Sequence, residues 1–256
     1  MIKNRLIPVI LISNGGCYKS TKFRNLKYVG DPLNIAKIFN QKLVDELIIM
    51  DINASKKGLK PDFQLLEEIA SECFMPLSYG GGISSIEDAD KVFSLGFEKI
   101  ILNNILFKDQ KLLELITKKY GSQSVIVSID IYQNFFGKYL IYSHATQRKY
   151  KKDYIKLIKE YELLGAGEFF LNSVKLDGTM NGLDHKLILE IKNNISTPLV
   201  LCGGLKDLED ADLAFSKGVS GIAGGSYFIY QGVQKAVLIS YPTKKVDFAD
   251  EFFNKT

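Results

Sequence analysis

The feature that most constrains the fold of this chain is an internal repeat centred on two pairs of adjacent glycines. Gly81-Gly82 and Gly203-Gly204 each follow a short apolar run, and the sequence Glu-Asp-Ala-Asp comes shortly after both pairs. The two copies lie 122 residues apart in a chain of 256 residues. A repeat of this size predicts a fold assembled from two equivalent halves.

Along the whole chain, the two repeat copies included, apolar runs rich in β-branched residues alternate with helix-like stretches eight times and without a linker. Residues 6–12 are typical of a strand buried on both faces, and Asp31-Pro32 is typical of a helix start. A chain of about 250 residues suits a (β/α)8 barrel. We therefore predict an α/β fold, a single TIM barrel domain over residues 1–256, built from two half-barrel repeats. An open doubly wound sheet is the alternative, but it leaves the two-fold pattern unexplained.

Four segments carry more specific expectations. Residues 13–30 are predicted to form a long polar loop, and residues 139–143 an inserted strand. The basic run at 148–152 is expected to be a solvated loop or a helix start, and residues 230–239 are expected to form the closing helix. The tail from 244 to 256 is polar with a few aromatic residues.

Each repeat copy has the chemistry of a phosphate site. Glycine lets the backbone approach an anion closely, and exposed N–H groups near a helix start attract phosphate. The second strand of each copy then ends in small or polar residues. The predicted phosphate-binding residues are Gly81, Gly82, Asn103, Asn104, Gly203, Gly204, Gly225 and Ser226. The alternative is that the glycines serve only close packing at the turns.

The composition of the chain limits which ligands and which cellular location we expect. The net charge of +4 suits small anionic substrates, and no basic stripe with interleaved aromatic residues indicates nucleic acid. The three cysteines are far apart and the two histidines have no partner motif, so we expect no disulfide, metal or cofactor. No signal peptide and no long apolar run are evident, so we expect a cytoplasmic protein without a membrane span.

Motifs along almost the whole chain resemble the cyclase subunit of imidazole glycerol phosphate synthase, an enzyme of histidine biosynthesis. They include Arg5-Leu6-Ile7, Tyr18-Lys19-Ser20-Thr21-Lys22-Phe23, Gly30-Asp31-Pro32, Asp51-Ile52-Asn53-Ala54-Ser55, Gly80-Gly81-Gly82-Ile83, Ser128-Ile129-Asp130, Gly165-Ala166-Gly167-Glu168 and Asp177-Gly178-Thr179. The resemblance implies a barrel that receives ammonia from a separate glutaminase subunit, a class I amidotransferase docked on the N-terminal face. Ammonia then crosses the barrel and attacks a substrate that carries two phosphates.

The resemblance also implies roles for individual residues. A ring of charges guards the ammonia entrance in that family, and the matching residues here are Arg5, Glu46, Lys99 and Glu168. Two acids and two bases can satisfy one another where an unpaired buried charge would be costly. A salt-bridge floor without any role in ammonia entry is the alternative. Lys19 lies in the matching substrate loop.

The catalytic pair is where this chain departs from the family. That family uses one aspartate on its first strand and another in the loop after its sixth strand. Asp177 matches the second, whereas Leu11 occupies the first position and cannot exchange a proton. Asp130 ends the fifth strand of the eightfold alternation and should point into the mouth, so we take Asp130 and Asp177 as the catalytic candidates. Alternatively, Asp130 caps a helix or pairs with Lys19, and Asp177 serves only its Asp-Gly turn.

Loss of the first aspartate with retention of the charged ring resembles a paralogue group linked to surface-polysaccharide pathways. There, an acetamido group on a sugar becomes an acetamidino group. The resemblance implies that this chain adds ammonia to a phosphate-bearing acceptor in such a pathway. The alternatives are a histidine-pathway cyclase with a relocated proton donor, at Asp51 or Asp130, and a non-catalytic scaffold that activates a glutaminase. The sister isomerase of the pathway is a weaker alternative, since it has no use for the charged ring.

Overall fold

The computed structural model describes residues 4–232 and 234–242. Strands and helices alternate along this part of the chain. The strands are β1 (Arg5–Ser13), β2 (Gly16–Thr21), β3 (Arg24–Gly30), β4 (Leu47–Asp51), β5 (Leu77–Gly80), β6 (Lys99–Leu102), β7 (Val125–Gln133), β8 (Tyr139–Ser143), β9 (Arg148–Tyr150), β10 (Glu168–Ser173), β11 (Leu199–Cys202), β12 (Gly221–Gly224), β13 (Tyr230–Gln231) and β14 (Ala236–Val237). The α-helices are α1 (Pro32–Gln41), α2 (Ala54–Lys57), α3 (Phe63–Ser71), α4 (Ile86–Ser94), α5 (Lys111–Tyr120), α6 (Tyr154–Leu163), α7 (His185–Lys192), α8 (Leu208–Ser216) and α9 (Ser226–Ile229).

Eight parallel strands close into a barrel. Their order around it is β1, β4, β5, β6, β7, β10, β11 and β12, and β12 pairs again with β1. The apolar runs form the strands because a parallel sheet covered by helices is buried on both faces. The predicted (β/α)8 barrel is therefore confirmed.

The two halves of the barrel repeat in detail as well as in sequence. Asp88 on α4 and Asp210 on α8 occupy the same place in the two copies, and each accepts a hydrogen bond from the backbone N–H four residues before it. Each also pairs with a basic side chain from the preceding unit, Lys60 at 3.0 Å for Asp88 and His185 at 2.7 Å for Asp210. The half-barrel repeat thus preserves a buried polar contact and not only the glycine turns.

Helix starts follow the side-chain capping expected from the sequence. Asp31 caps α1 by accepting a hydrogen bond from the Asn34 N–H, and Pro32 occupies the first turn. Six of the described helices have an Asp or Ser cap of this kind, which satisfies N–H groups that have no partner inside the helix. The caps are Asp31, Asp62, Ser85, Asp153, Asp184 and Asp207.

Apolar packing forms two separate layers. The larger one lies between the strands and the surrounding helices. The smaller one fills the barrel interior, and its members are Ile7, Val9, Ile48, Ile101, Ile126, Phe170, Val200, Cys202 and Ala223. Leu11 and Met50 pack against this inner layer from above, at the end of the barrel where the strands terminate. The interior is therefore apolar between two polar ends.

Residues 13–30 form a β-hairpin, β2–β3, rather than the predicted loop. β2 pairs antiparallel with the end of β1, with Leu11 opposite Tyr18, so the hairpin extends the first barrel strand over the mouth. Residues 139–143 form the predicted strand, as β8, and β9 adds to it where a loop or helix start had been expected. The β7–β8–β9 extension rises from the opposite side of the barrel.

The predicted closing helix over 230–239 is wrong. The short helix α9 ends at Ile229, and the chain then forms the hairpin β13–β14 with Tyr230 opposite Val237. Gly232 and Lys235 adopt positive φ angles of 70° and 50°, a conformation that a right-handed helix cannot contain. The tail at 244–256 lies outside the described residues.

Candidate active site

A cavity of about 470 Å³ opens at the carboxyl ends of the barrel strands. This volume lies in the range of small-molecule sites, and the location is where (β/α)8 barrels place their chemistry. Its floor is apolar and includes Leu11, Met50 and Phe170, whereas Asp130 and Asp177 contribute carboxylates to the lining. The two hairpins meet across the mouth, where the Phe23 ring contacts those of Tyr142 and His144.

Most of the residues predicted from the sequence line this one cavity. They are Lys19, Gly81, Gly82, Asn103, Asn104, Asp130, Asp177, Gly225 and Ser226. Gly203 and Gly204 are not among its lining residues in the described part of the chain. The loop after β10 covers that second glycine pair, since the Gly182 N–H donates to the Gly204 carbonyl at 2.8 Å.

All four repeat glycines are also tightly packed. A Cβ on Gly81 would lie 2.6 Å from the Asp51 carbonyl oxygen, and one on Gly204 would lie 2.1 Å from the Gly182 carbonyl oxygen. Their positive φ angles, 130° and 103°, add a second reason for glycine. Close packing therefore accounts for Gly203 and Gly204 without a ligand, while Gly81 and Gly82 both pack closely and border the cavity.

Asp130 is the buried carboxylate of the cavity. Only 6% of the residue is exposed, and its Oδ2 accepts a hydrogen bond from Asn103 Nδ2 at 3.1 Å. Burial raises the pKa of Asp130 to about 7, with a further upward contribution from Asp177, although the Asn103 hydrogen bond opposes it. A carboxyl group with this pKa can accept or donate a proton near neutrality. The structure thus places Asp130 neither as a helix cap nor in an ion pair with Lys19.

Asp177 anchors the hairpin over the cavity. Its Oδ2 accepts hydrogen bonds from Ser20 Oγ at 2.6 Å and from the Phe23 N–H at 3.2 Å, and its carbonyl accepts the Lys22 N–H at 2.9 Å. Burial raises its pKa, while these hydrogen bonds and Lys19 oppose the rise. The turn at Gly178 also packs on the hairpin, because a Cβ there would lie 2.1 Å from the Ser20 carbonyl oxygen. Asp177 consequently holds the hairpin in position over the cavity.

Replacing Asp177 should loosen the hairpin. Asp177→Ala removes the acceptor of two hydrogen bonds, one of them to a backbone N–H, and we expect a cost of about 1–3 kcal/mol in the free energy of unfolding. Hydrogen exchange should show faster exchange at the Phe23 amide than in the native protein. The control is Asp212→Ala, at an exposed acid on α8. Equal Phe23 exchange in both variants would contradict the anchoring role.

Lys19 reaches into the cavity wall from the hairpin. It is 4% exposed, and its Nζ donates to the Val9 carbonyl. Burial lowers the pKa of Lys19 to about 8, although Cys17 and Asp177 oppose the shift. A Cβ on Gly225 would lie 2.6 Å from this Nζ, so the glycine leaves the space that the ammonium group occupies. Lys19 is therefore a preorganised cation beside the predicted phosphate residues.

The four predicted ring charges meet at the opposite end of the barrel. Arg5 Nη1 lies 2.7 Å from Glu46 and its Nη2 contacts Glu168, while Lys99 lies 2.8 Å from Glu168 and 3.6 Å from Glu46. Ser78 Oγ also donates to Glu46 at 2.7 Å. Burial pushes the pKa of Glu168 upward, but Lys99 and Arg5 outweigh it and the net shift is downward. Acids and bases thus alternate in one closed ring.

Sequence reasoning missed Asn172, on β10. It lies opposite Asp130 in the strand register and lines the cavity, yet its buried Oδ1 has no hydrogen-bond partner among the described residues. Buried acceptors are nearly always satisfied, so this oxygen marks Asn172 as a polar position of the cavity that the sequence patterns did not single out. The sequence pattern could have identified Asn172, because β10 ends in Asn172-Ser173 after an apolar run. The same pattern led to the assignment of Asp130.

Within the described residues, no cluster of three or more His, Cys, Asp or Glu side chains is arranged to hold a metal ion. The same part of the chain contains no helix with the length and apolar character needed to cross a membrane.

Comparison with known proteins shows the family to which the chain belongs. Residues 5–235 match the family model described as histidine biosynthesis protein. A Pseudomonas aeruginosa protein named "Putative imidazole glycerol phosphate synthase subunit hisF2" is 44% identical over 94% of this chain and 97% of its own length. The chain belongs to the HisF family of imidazole glycerol phosphate synthase subunits.

Other relatives of the HisF family are similar over almost the same span. A Leptospira interrogans protein with the same kind of provisional name, HisF, is 40% identical over 96% of this chain and 97% of its own length. The imidazole glycerol phosphate synthase subunit HisF of Chlorobium phaeobacteroides is 34% identical over 87% of this chain and 88% of its own length. In this HisF-family chain, Leu11 and Met50 are neighbours in the strand register, so an apolar pair stands where the resemblance led us to expect an acid.

Proposed function

We propose that this HisF-family barrel receives ammonia from a glutaminase partner and adds it to a phosphate-bearing acceptor. The observation that carries the proposal is the arrangement of one charged ring and one carboxylate-lined cavity at opposite ends of an apolar barrel interior. Uncharged ammonia can cross an apolar interior at far lower cost than ammonium, because a buried unpaired charge is strongly penalised. The ring would exclude ions and water from that path.

Exposed apolar side chains support a partner on the face that holds the ring. Leu43, Phe74 and Leu163 lie in or beside connections that lead from a helix to the next barrel strand, and they are 84%, 90% and 88% exposed. These connections belong to the N-terminal face of a parallel barrel. Leu43 and Phe74 precede the adjacent strands β4 and β5, and Leu163 precedes β10 on the other side of the barrel, so exposed apolar groups occur at separate points around this one face. We propose this face as the docking site of the glutaminase.

The polar groups around the cavity suit an anionic acceptor. Lys19 supplies a buried cation, Gly81 and Gly82 supply backbone near the start of α4, and Ser226 begins α9 after Gly225. Backbone N–H groups and a fixed cation together favour a phosphate. The packing of Gly203 and Gly204 weakens the case for a second, equivalent phosphate site.

The chemistry needs little beyond positioning. Ammonia is itself a nucleophile, and holding it beside an electrophilic carbon supplies much of the rate enhancement. When ammonia attacks the acetamido carbon, the proton lost by nitrogen can pass to Asp130, and the carbon–oxygen bond breaks as that oxygen, phosphorylated beforehand in a separate reaction, leaves as phosphate. Leu11 removes the acid that ring closure would use, and an apolar wall suits an alkyl substituent such as the methyl of an acetamido group. We therefore propose amidine (acetamidino) formation in glycan biosynthesis as the specialised role.

An assay of the purified protein with the bis-phosphorylated substrate of the histidine pathway and ammonium salt at alkaline pH tests this proposal. We expect saturable binding of the substrate without efficient formation of imidazole glycerol phosphate. Efficient turnover would overturn the amidine role. It would favour instead a histidine-pathway cyclase with a relocated proton donor, for which Asp130 is the candidate because its pKa is raised to about 7.

Restoring the missing acid gives a gain-of-function test. Leu11→Asp should raise cyclase turnover with ammonium salt by roughly tenfold or more, since general acid–base catalysis contributes roughly 10²–10⁴-fold. Leu11→Asn is the matched control, because it is polar and nearly isosteric with Asp but cannot exchange a proton. Equal turnover in the two variants would show that proton transfer at this position is not what limits ring closure.

If the protein is instead a non-catalytic scaffold, replacing a cavity carboxylate should have no effect on the pathway. A scaffold would activate glutaminase equally well with Asp177→Asn, and pathway output would not change. We expect output to fall in that variant while glutaminase activation is retained.

A further inference from the structure

A second cavity, of about 360 Å³, lies outside the barrel mouth. The turn between β7 and β8, the residues before α6, and α7 contribute to it, so three separate segments of the chain form its walls. None of the residues predicted from the sequence to act in catalysis, phosphate binding or ammonia entry lines it. Four lysines do line it, namely Lys138, Lys151, Lys152 and Lys186.

The four lysines are exposed, and none of them forms an ion pair in the part of the chain that the structure describes. No carboxylate of the described residues lies within 4 Å of any of them, unlike Lys99 or Lys119, which have such partners. Four cations sharing one concave surface raise the local concentration of anions. Like charges on one surface repel one another, and a bound anion would relieve that repulsion.

Two acidic residues, Asp153 and Glu190, also line the cavity, and each lies close to a group other than the lysines. Asp153 caps α6 by accepting hydrogen bonds from the Ile155 and Lys156 N–H groups at 3.0 and 3.1 Å. Glu190 lies next to the Tyr154 hydroxyl, where it adds to the effect of burial in raising the pKa of that tyrosine. The lysines therefore outnumber the carboxylates, and the positive ends of α6 and α7 add to the same field.

We propose that this lysine cavity binds a phosphate-bearing ligand, independently of the barrel mouth. Two sources share that chemistry, a soluble phosphorylated metabolite and a phospholipid headgroup. The phospholipid headgroup is tested in a separate experiment because Phe135 and Phe136, in the adjoining turn, are 93% and 90% exposed. Exposed aromatic side chains beside lysines are typical of surfaces that rest on anionic lipid.

Titration of the full-length protein with inorganic pyrophosphate tests the soluble arm. Calorimetry should detect a site that Lys151→Glu/Lys152→Glu weakens roughly tenfold or more. The matched control is Lys111→Glu/Lys118→Glu, the same charge reversal at two exposed positions on α5. Both double variants change only exposed side chains, and thermal unfolding confirms that each is folded. Any pyrophosphate bound at the barrel mouth should be unaffected by either variant.

Co-sedimentation with vesicles containing phosphatidylglycerol tests the lipid arm. If the source is a headgroup, Phe135→Ser/Phe136→Ser should reduce vesicle binding and leave pyrophosphate binding intact, and Lys151→Glu/Lys152→Glu should reduce both. If the source is soluble, only pyrophosphate should bind, and the phenylalanine variant should match the native protein. The proposal is overturned if the native protein binds neither probe, or if Lys151→Glu/Lys152→Glu binds both as tightly as the native protein does.

Discussion

Asp130→Asn is expected to stabilise the protein at pH 8 while it slows the ammonia addition proposed above. The side chain is buried, and its pKa is raised to about 7 from an ordinary value of 3.8. Between these two values the unfolded chain releases the proton and the folded chain retains it. The contribution of Asp130 to stability is therefore complete below about pH 4 and is lost as the pH rises through 7.

The magnitude of this effect makes it measurable. A shift of about three pKa units corresponds to roughly 4 kcal/mol at most. We expect urea unfolding at pH 8 to give a free energy of unfolding roughly 2–4 kcal/mol higher for Asp130→Asn than for the native protein, because an amide carries no charge to bury. At pH 4 the two proteins should unfold alike.

The activity of the same variant should fall roughly 10²–10⁴-fold, the usual contribution of a general acid or base. Asp212→Asn, at an exposed acid on α8, is the control and should change neither property. A gain in stability with a loss of activity is expected where a site is kept strained for function. A less stable Asp130→Asn protein at pH 8 would mean that the native carboxylate is ionised and well compensated.

Arg5→Ala is expected to produce the largest loss of stability, about 3–5 kcal/mol, because it breaks a buried ion pair from one side. Its partners Glu46 and Glu168 have side chains that are only 4% and 6% exposed. Lys99 alone would then face two carboxylates. Chemical unfolding near neutral pH measures the loss.

An exposed ion pair provides the comparison. Lys119 and Asp90 lie 2.7 Å apart with side chains 51% and 36% exposed, and Lys119→Ala should cost no more than about 1 kcal/mol. Adding Glu46→Gln to Arg5→Ala should recover part of the loss, since the second change removes one uncompensated charge. A cost below about 1 kcal/mol for Arg5→Ala would show that water reaches the ring and compensates the acids.

Arg5→Ala also distinguishes a role of the ring in barrel stability from a role in ammonia entry. If the ring controls entry, Arg5→Ala should impair activity with glutamine and the partner more than activity with ammonium salt. Equal effects on both activities would assign the ring to barrel stability alone.

Local sequence patterns predicted the frame of the site well. Apolar runs and capping residues are contiguous signals, and they placed β1 and the start of α1 to within one residue, whereas β7 continues three residues beyond Asp130, where the sequence had ended it. A polar residue at the end of a buried strand must lie at the mouth of a parallel barrel, which is why Asp130 could be assigned there from its position alone. The prediction of a helix over 230–239 failed because the positive φ angles at Gly232 and Lys235 reverse the chain.

Contacts between distant segments could not be predicted in this way. The hydrogen bond between Ser20 and Asp177 joins residues 157 positions apart, and it changes Asp177 from an unattached acid into an anchor of the hairpin. The covering of Gly204 by the Gly182 loop depends on the path of that loop, although the sequence of the repeat is the same in both halves.

By itself the sequence determined that this chain is a two-fold (β/α)8 barrel, that its ends carry opposite kinds of polar chemistry, and that Leu11 removes an expected acid. The barrel follows from hydrophobic periodicity and the internal repeat, whereas the chemistry of the two ends and the missing acid are what the resemblance to the cyclase subunit implies. Only the tertiary structure decided the burial of Asp130 and Lys19, the unpaired Asn172 oxygen and the lysine cavity. Each depends on which distant segments exclude water from a group or bring charges together, and that is a property of the packed chain rather than of any one segment.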